Sequence, residues 1–95
     1  MGDLDLDRWL AENVMGYTHI RGYTNWKTEH FHPTTFLKQA VMCEDRIEEM
    51  ELEQEYSNAL ETILTEYYSY KPSTSQIAHA SPLHRCQAIR KAVEG

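Results

Sequence analysis

Residues 43–56 read CEDRIEEMELEQEY, seven acidic side chains and one arginine in fourteen positions of a 95-residue chain whose formal net charge is −6. Whether a helix runs through this stretch or breaks inside it decides the fold. Upstream, Phe36, Ala40, Cys43, Ile47 and Met50 recur at steps of four, three, four and three, one apolar stripe at roughly 100° per residue. Downstream, Leu52, Tyr56, Ala59, Leu60, Ile63, Leu64 and Tyr67 form a second stripe, which on a continuous helix would centre roughly 180° from the first. Either the chain breaks near residues 50–54 and folds back as a helical pair, or one long helix shows its second half to another neighbour. A helix over residues 36–67 would be unusually long without internal caps, yet residues 49–54 hold neither Gly nor Pro to stop it.

Outward from this stretch the signals are more local. In DLDRWLAENVMG, Leu6, Trp9, Leu10 and Val14 fall at helical spacing. Asp3 or Asp5 suits the N-cap, and Gly16 can supply a left-handed turn at the end. Residues 17–31, YTHIRGYTNWKTEHF, are rich in aromatic and β-branched types punctuated by Gly22 and Asn25, which predicts a two-stranded hairpin. Pro33 suits a first helical turn, with His32, Thr34 or Thr35 near the cap. KPSTS (residues 71–75) reads as a polar turn and QIAHA (residues 76–80) as a last short strand. Ser81 and Pro82 then open a closing helix, LHRCQAIRKAV, with Arg90 and Lys91 well placed near its negative end. The expected architecture is α+β: a small α/β/α-type sandwich of three to four helices with a short antiparallel sheet, in one domain.

Bulk properties narrow the function. The N-terminus, MGDLDLDRWL, carries acid where a signal peptide carries base, and no apolar run is long enough for a membrane span, so a cytoplasmic location is expected. Cys43 and Cys86 lie far apart with no CxxC or CxxH spacing, as expected of reduced thiols rather than a disulfide framework or zinc site. Net acidity disfavours duplex nucleic acid as a partner.

Five groups of residues are candidates for function. Glu44, Glu48, Glu51 and Glu55 share one face, at steps of four, three and four residues. Residues 44–55 would span about 18 Å of axis at roughly 1.5 Å per residue, over which duplex DNA carries on the order of ten phosphates. Such a row could imitate phosphates before a basic partner, and it is equally the spacing of an ordinary solvated face. Leu52, Tyr56, Leu60, Ile63 and Tyr67 would line a homodimer interface if the helix is unbroken, and would pack within the monomer if it breaks. Arg21 with Tyr17, Tyr23 and Trp26 could grip a small nucleotide by guanidinium–phosphate contact and base stacking, or could be common cross-strand pairs. His19, His30 and His32 could converge on a hairpin, but no companion motif supports a metal. Cys86 lies near His79 and His84, yet falls with Leu83, Ile89 and Val93 on an apolar helix face, as a small buried residue does. No phosphate loop, nucleophile elbow or paired-carboxylate site is recognisable. No catalytic residue and no cofactor is expected.

Three segments, LDRWLAENVMGY, FHPTTFLKQAVMCEDRIEEM and AHASPLHRCQAIRKAV, resemble in their order the helices of the phage α/β/α-sandwich domain family of small phage and prophage proteins. The resemblance implies the three-layer α+β fold and a phage or prophage origin. It implies no reaction and no functional residue, and residues 52–70 depart from it by reading as helical. The leading expectation is therefore a non-enzymatic accessory protein that binds and inhibits a host defence protein. Alternatives are a sponge for a small cyclic nucleotide signal and a small regulator or structural dimer.

Overall fold

The computed structural model describes residues 2–17 and 31–95. Five helices follow one another: α1 (Leu4–Asn13), α2 (Leu37–Glu49), α3 (Glu53–Tyr68), α4 (Thr74–Ala78) and α5 (Pro82–Glu94). Among the described residues there is no strand. The α/β/α sandwich is thereby overturned. The expected strand QIAHA instead lies in α4 and the turn after it, because Ser73 and Gln76 form a reciprocal capping box that nucleates a helical turn. The hairpin expected at residues 17–31 falls, for residues 18–30, outside the described residues.

Local chemistry explains the helix ends. The Asp3 carboxylate accepts from the Leu6 N–H at 3.0 Å, and Gly16 takes φ +71° just past α1, as its sequence suggested. Ser81 accepts from the His84 N–H at 3.1 Å and Pro82 fills the first turn of α5. Pro33 does not open α2. It heads a separate turn in which the Thr35 and Phe36 N–H groups bond the His32 carbonyl, and α2 starts four residues later.

The acidic stretch breaks after α2 through a Schellman motif. The Glu51 N–H donates to the Glu48 carbonyl and the Leu52 N–H to the Ile47 carbonyl, each at 3.0 Å, while Glu51 adopts φ 59°. Leu52, partly buried, packs against the core cluster that contains Ile47, in keeping with the apolar contact that accompanies this turn. Residues 36–67 are two helices, and the change of apolar face marks their junction.

The core has two lobes joined by α5. Leu6, Leu10, Val14, Ala40, Cys43 and Ile47 of α1, its C-terminal turn and α2 meet Cys86 and Ile89. On the other side Ala59, Leu60 and Leu64 of α3 meet Ala88 and Ala80. Ala88 and Ala92 let α3 come close to α5, and α3 makes the most extensive of the helix pairings with it. Leu10, Ile47, Leu64 and Ile89 are fully buried, each removing from water an area that stabilises by roughly 1.5–3 kcal/mol. Phe36 and Met50, the ends of the first expected stripe, lie outside α2 and are exposed.

Candidate functional site

Glu44 does not belong to a free acidic row. Its carboxylate accepts from Arg85 Nη1 at 3.0 and 3.2 Å and from the Tyr56 hydroxyl. The same guanidinium donates through Nε to the Ala80 carbonyl at 2.9 Å and through Nη2 to the Ala78 carbonyl at 2.7 Å. One arginine of α5 thus ties together α2, the C-terminal end of α4 and, through Tyr56, α3. Burial, then the bond to Glu44, pushes the Tyr56 hydroxyl pKa well above its ordinary value, so the phenol stays a donor.

Glu48, Glu51 and Glu55 are exposed, but the break removes the common helical face that their spacing implied. They sit instead around the α2–α3 corner with Glu49 and Glu53, also exposed. Residues 44–66 hold nine acids against one arginine, a net −8, which leaves the other residues of a −6 chain with +2. The α3 segment holds Glu53, Glu55, Glu61 and Glu66 with no basic residue. Glu48 and Glu49 lie at the C-terminal end of α2, where the helix dipole disfavours carboxylates.

The expected dimer stripe is divided by the same fold. Leu60 is core, Leu52 and Tyr56 pack partly buried against the α1–α2 lobe, and Ile63 packs partly buried against the α3–α5 lobe. Only Tyr67 is left outside, 65% exposed. It closes an aromatic array at the far end of α3. Tyr67 stands edge-on to His84 at 4.6 Å and to Tyr68 at 5.0 Å, and Tyr68 leans on Tyr70 at 5.6 Å.

The remaining candidates resolve differently. Tyr17 packs edge-on against Phe31 at 5.4 Å, whereas Arg21, Tyr23 and Trp26 lie outside the described residues, as do His19 and His30. His32 Nδ1 is 3.3 Å from Asp7, a buried carboxylate that accepts from the Thr34 N–H at 2.9 Å and from its hydroxyl at 2.7 Å. These bonds fasten the Pro33 turn to α1, a role that the sequence reading missed. Among the described residues no three His, Cys, Asp or Glu side chains converge as a metal site would need. Cys86 is fully buried, and burial, reinforced by Cys43, Asp7 and Glu44, raises its thiol pKa, so it packs rather than reacts. Burial likewise pushes the Cys43 thiol up to about 12. Among the described residues two open grooves run along α3, one lined by Asn58, Glu61, Thr62 and Thr65, the other shared with Lys91 and Ala92 of α5. Neither gathers a nucleophile and a base. Among the described residues no helix is long and apolar enough to cross a membrane.

In comparison with known proteins the chain matches no family model, no curated protein and no solved structure.

Proposed function

We propose that the chain is a non-enzymatic binding protein that docks its acidic α2–α3 corner on a basic, nucleic-acid-handling surface of a partner protein. On the phage-family resemblance, that partner is a component of host defence, engaged and inhibited in the bacterial cytoplasm. The observation that carries the reading is Glu51. It holds a left-handed position, where a side chain costs roughly 1–2 kcal/mol and where glycine is the common choice. Around it stand Glu48, Glu49, Glu53 and Glu55: Glu49 is paired with Arg46, and the dipole of α2 opposes Glu48 and Glu49 while that of α3 favours Glu53 and Glu55. An acidic side chain kept where stability favours glycine fits a surface selected for contact. Glu44, enclosed by Arg85 and Tyr56, belongs to the scaffold and not to this surface.

The test is capture from a bacterial lysate with immobilised wild-type protein and with a variant carrying Glu48→Gln, Glu51→Gln, Glu53→Gln and Glu55→Gln. The expected result is a partner retained by the wild type, displaced by excess duplex DNA, and lost with the variant while its thermal midpoint stays within a few degrees. Capture of the same proteins by both forms would sink the reading.

A further inference from the structure

The buried side of α2 carries Ala40, Cys43 and Ile47, which at roughly 100° per residue centre on one line of the helix. The line diametrically opposite runs through Lys38, between Val41 and Met42, and through Asp45. That outer line is open: Val41 and Met42 are 40% and 42% exposed, and Leu37 at its edge is 49% exposed. Lys38 and Asp45 are exposed as well, and among the described residues neither enters an ion pair. They stand seven residues apart, roughly 10 Å along the axis, too far to bond one another. The other acids of α2 are engaged or peripheral. Glu44 is held by Arg85 and Glu49 by Arg46, while Glu48 lies three residues beyond Asp45, on the Leu37 side of the line.

This pattern is complementary to itself. Positions 38 and 45, like 41 and 42, are symmetric about the midpoint between Val41 and Met42. When two copies of α2 lie antiparallel about a two-fold axis at that midpoint, Lys38 of each faces Asp45 of the other, and Val41 and Met42 each meet their own mates across the axis. Parallel pairing would set Lys38 on Lys38 and Asp45 on Asp45. The antiparallel arrangement also opposes the helix dipoles and carries the two Glu48 side chains roughly 20 Å apart along the axis. A purely basic or purely acidic partner would be repelled by one of the two charges, whereas a second copy satisfies both. We propose that this face of α2 is a homodimer interface, two copies packing antiparallel and joined by two reciprocal Lys38–Asp45 contacts. One helix face is small beside the roughly 800 Å² per partner of a standard interface, so the dimer dissociates on dilution. The dimer displays two acidic corners, roughly 30 Å apart along the helices. The inference stands on α2 alone and not on what those corners bind.

The test is sedimentation equilibrium of the full chain from micromolar to millimolar concentration. The expected mass rises from one chain toward two, and Val41→Glu, at an exposed position beside the axis, holds it at one chain without moving the unfolding midpoint of a dilute sample. Lys38→Glu and Asp45→Lys should each weaken association by about tenfold, because either reversal sets two like-charged pairs against each other. The two together should restore it to within about threefold of the wild type. A single-chain mass at every concentration would overturn the inference, as would association that persists undiminished in Val41→Glu. A double reversal no tighter than the single ones would overturn it too, whatever the lysate capture gives.

Discussion

Arg85→Ala should be the most damaging surface-adjacent substitution in the chain. The guanidinium makes two contacts to the Glu44 carboxylate and one each to the Ala78 and Ala80 carbonyls. Its side chain is 14% exposed and that of Glu44 20%, so neither group is fully resolvated once its partner is gone. Removing one member of a fully buried pair costs about 3–5 kcal/mol, and the residual solvent here lowers that to about 2–4 kcal/mol. For a domain of this size the loss corresponds to a midpoint shift on the order of 10–25 °C. Glu44→Ala should cost about 2–3 kcal/mol, because Tyr56 loses its acceptor while Arg85 retains the two carbonyls. The double variant should be less unstable than the sum, with a coupling of about 1.5–3 kcal/mol read from urea midpoints at constant m-value. Arg85→Lys should recover only part of the loss, since one ammonium lacks the reach and fork of the guanidinium. The control is Glu49→Ala, which breaks an ion pair whose members are 43% and 62% exposed and should stay within about 0.5 kcal/mol. Additivity of Arg85→Ala and Glu44→Ala within about 0.5 kcal/mol would refute the clamp.

Two further outcomes follow from burial and from the corner. The Cys43 thiol has an ordinary pKa of 9.0 and is pushed to about 12 in the fold, so its stabilisation is complete below about pH 9 and is lost as pH rises toward 12. Between those limits the unfolded chain releases a proton that the folded one keeps. Each such thiol then lowers stability by up to about 1.4 kcal/mol per pH unit, and Tyr56 and Cys86 act in the same direction. Urea midpoints from pH 8 to 11 should fall less steeply for Cys43→Ala than for the wild type; equal slopes would count against a buried thiol. Glu51→Gly should stabilise by about 0.5–1 kcal/mol by removing the Cβ from a left-handed residue. Glu51→Gln removes only the charge and separates the two causes, and a midpoint with glycine no higher than with glutamine would contradict the turn geometry.

Much of the scaffold is legible in the sequence because its signals are local. Asp3, Gly16, Ser81 and Pro82 announce the ends of α1 and α5 by residue type, and Ala40, Cys43, Ile47, Cys86 and Ile89 declare their buried faces by spacing. The α2–α3 junction is only half legible. The change of face is visible after Met50, but a Schellman turn built on glutamate lacks the glycine that normally signals it. The Ser73–Gln76 capping box was present in the sequence at the usual three-residue spacing and outweighs the strand-like look of QIAHA. The clamp was hidden because it depends on placement: Arg85, in the first turns of α5, reaches across to α2 and the end of α4, and nothing local names Glu44 as its partner. Glu44, read as one of a row of interchangeable surface acids, differs from Glu48 only through that distant contact. The two hydrogen bonds from Thr34 to Asp7 likewise join residues 27 positions apart.

The two-sided burial of α5 also fixes an order of events. In synthesis α1, α2 and α3 all emerge before the helix on which each of them packs, and the Glu44–Arg85 contact spans 41 positions. Until α5 arrives, the faces bearing Ile47 and Leu64 have no common surface to share, and α1 and α2, at 10 and 13 residues, are at best marginal in water on their own. Formation of the native state is therefore tied to closing long loops onto one late element, which slows assembly relative to a bundle joined neighbour to neighbour. The same dependence makes the described helices a single cooperative unit: what loosens α5 loosens both lobes at once, and with them the acidic corner and the aromatic array at opposite ends of α3.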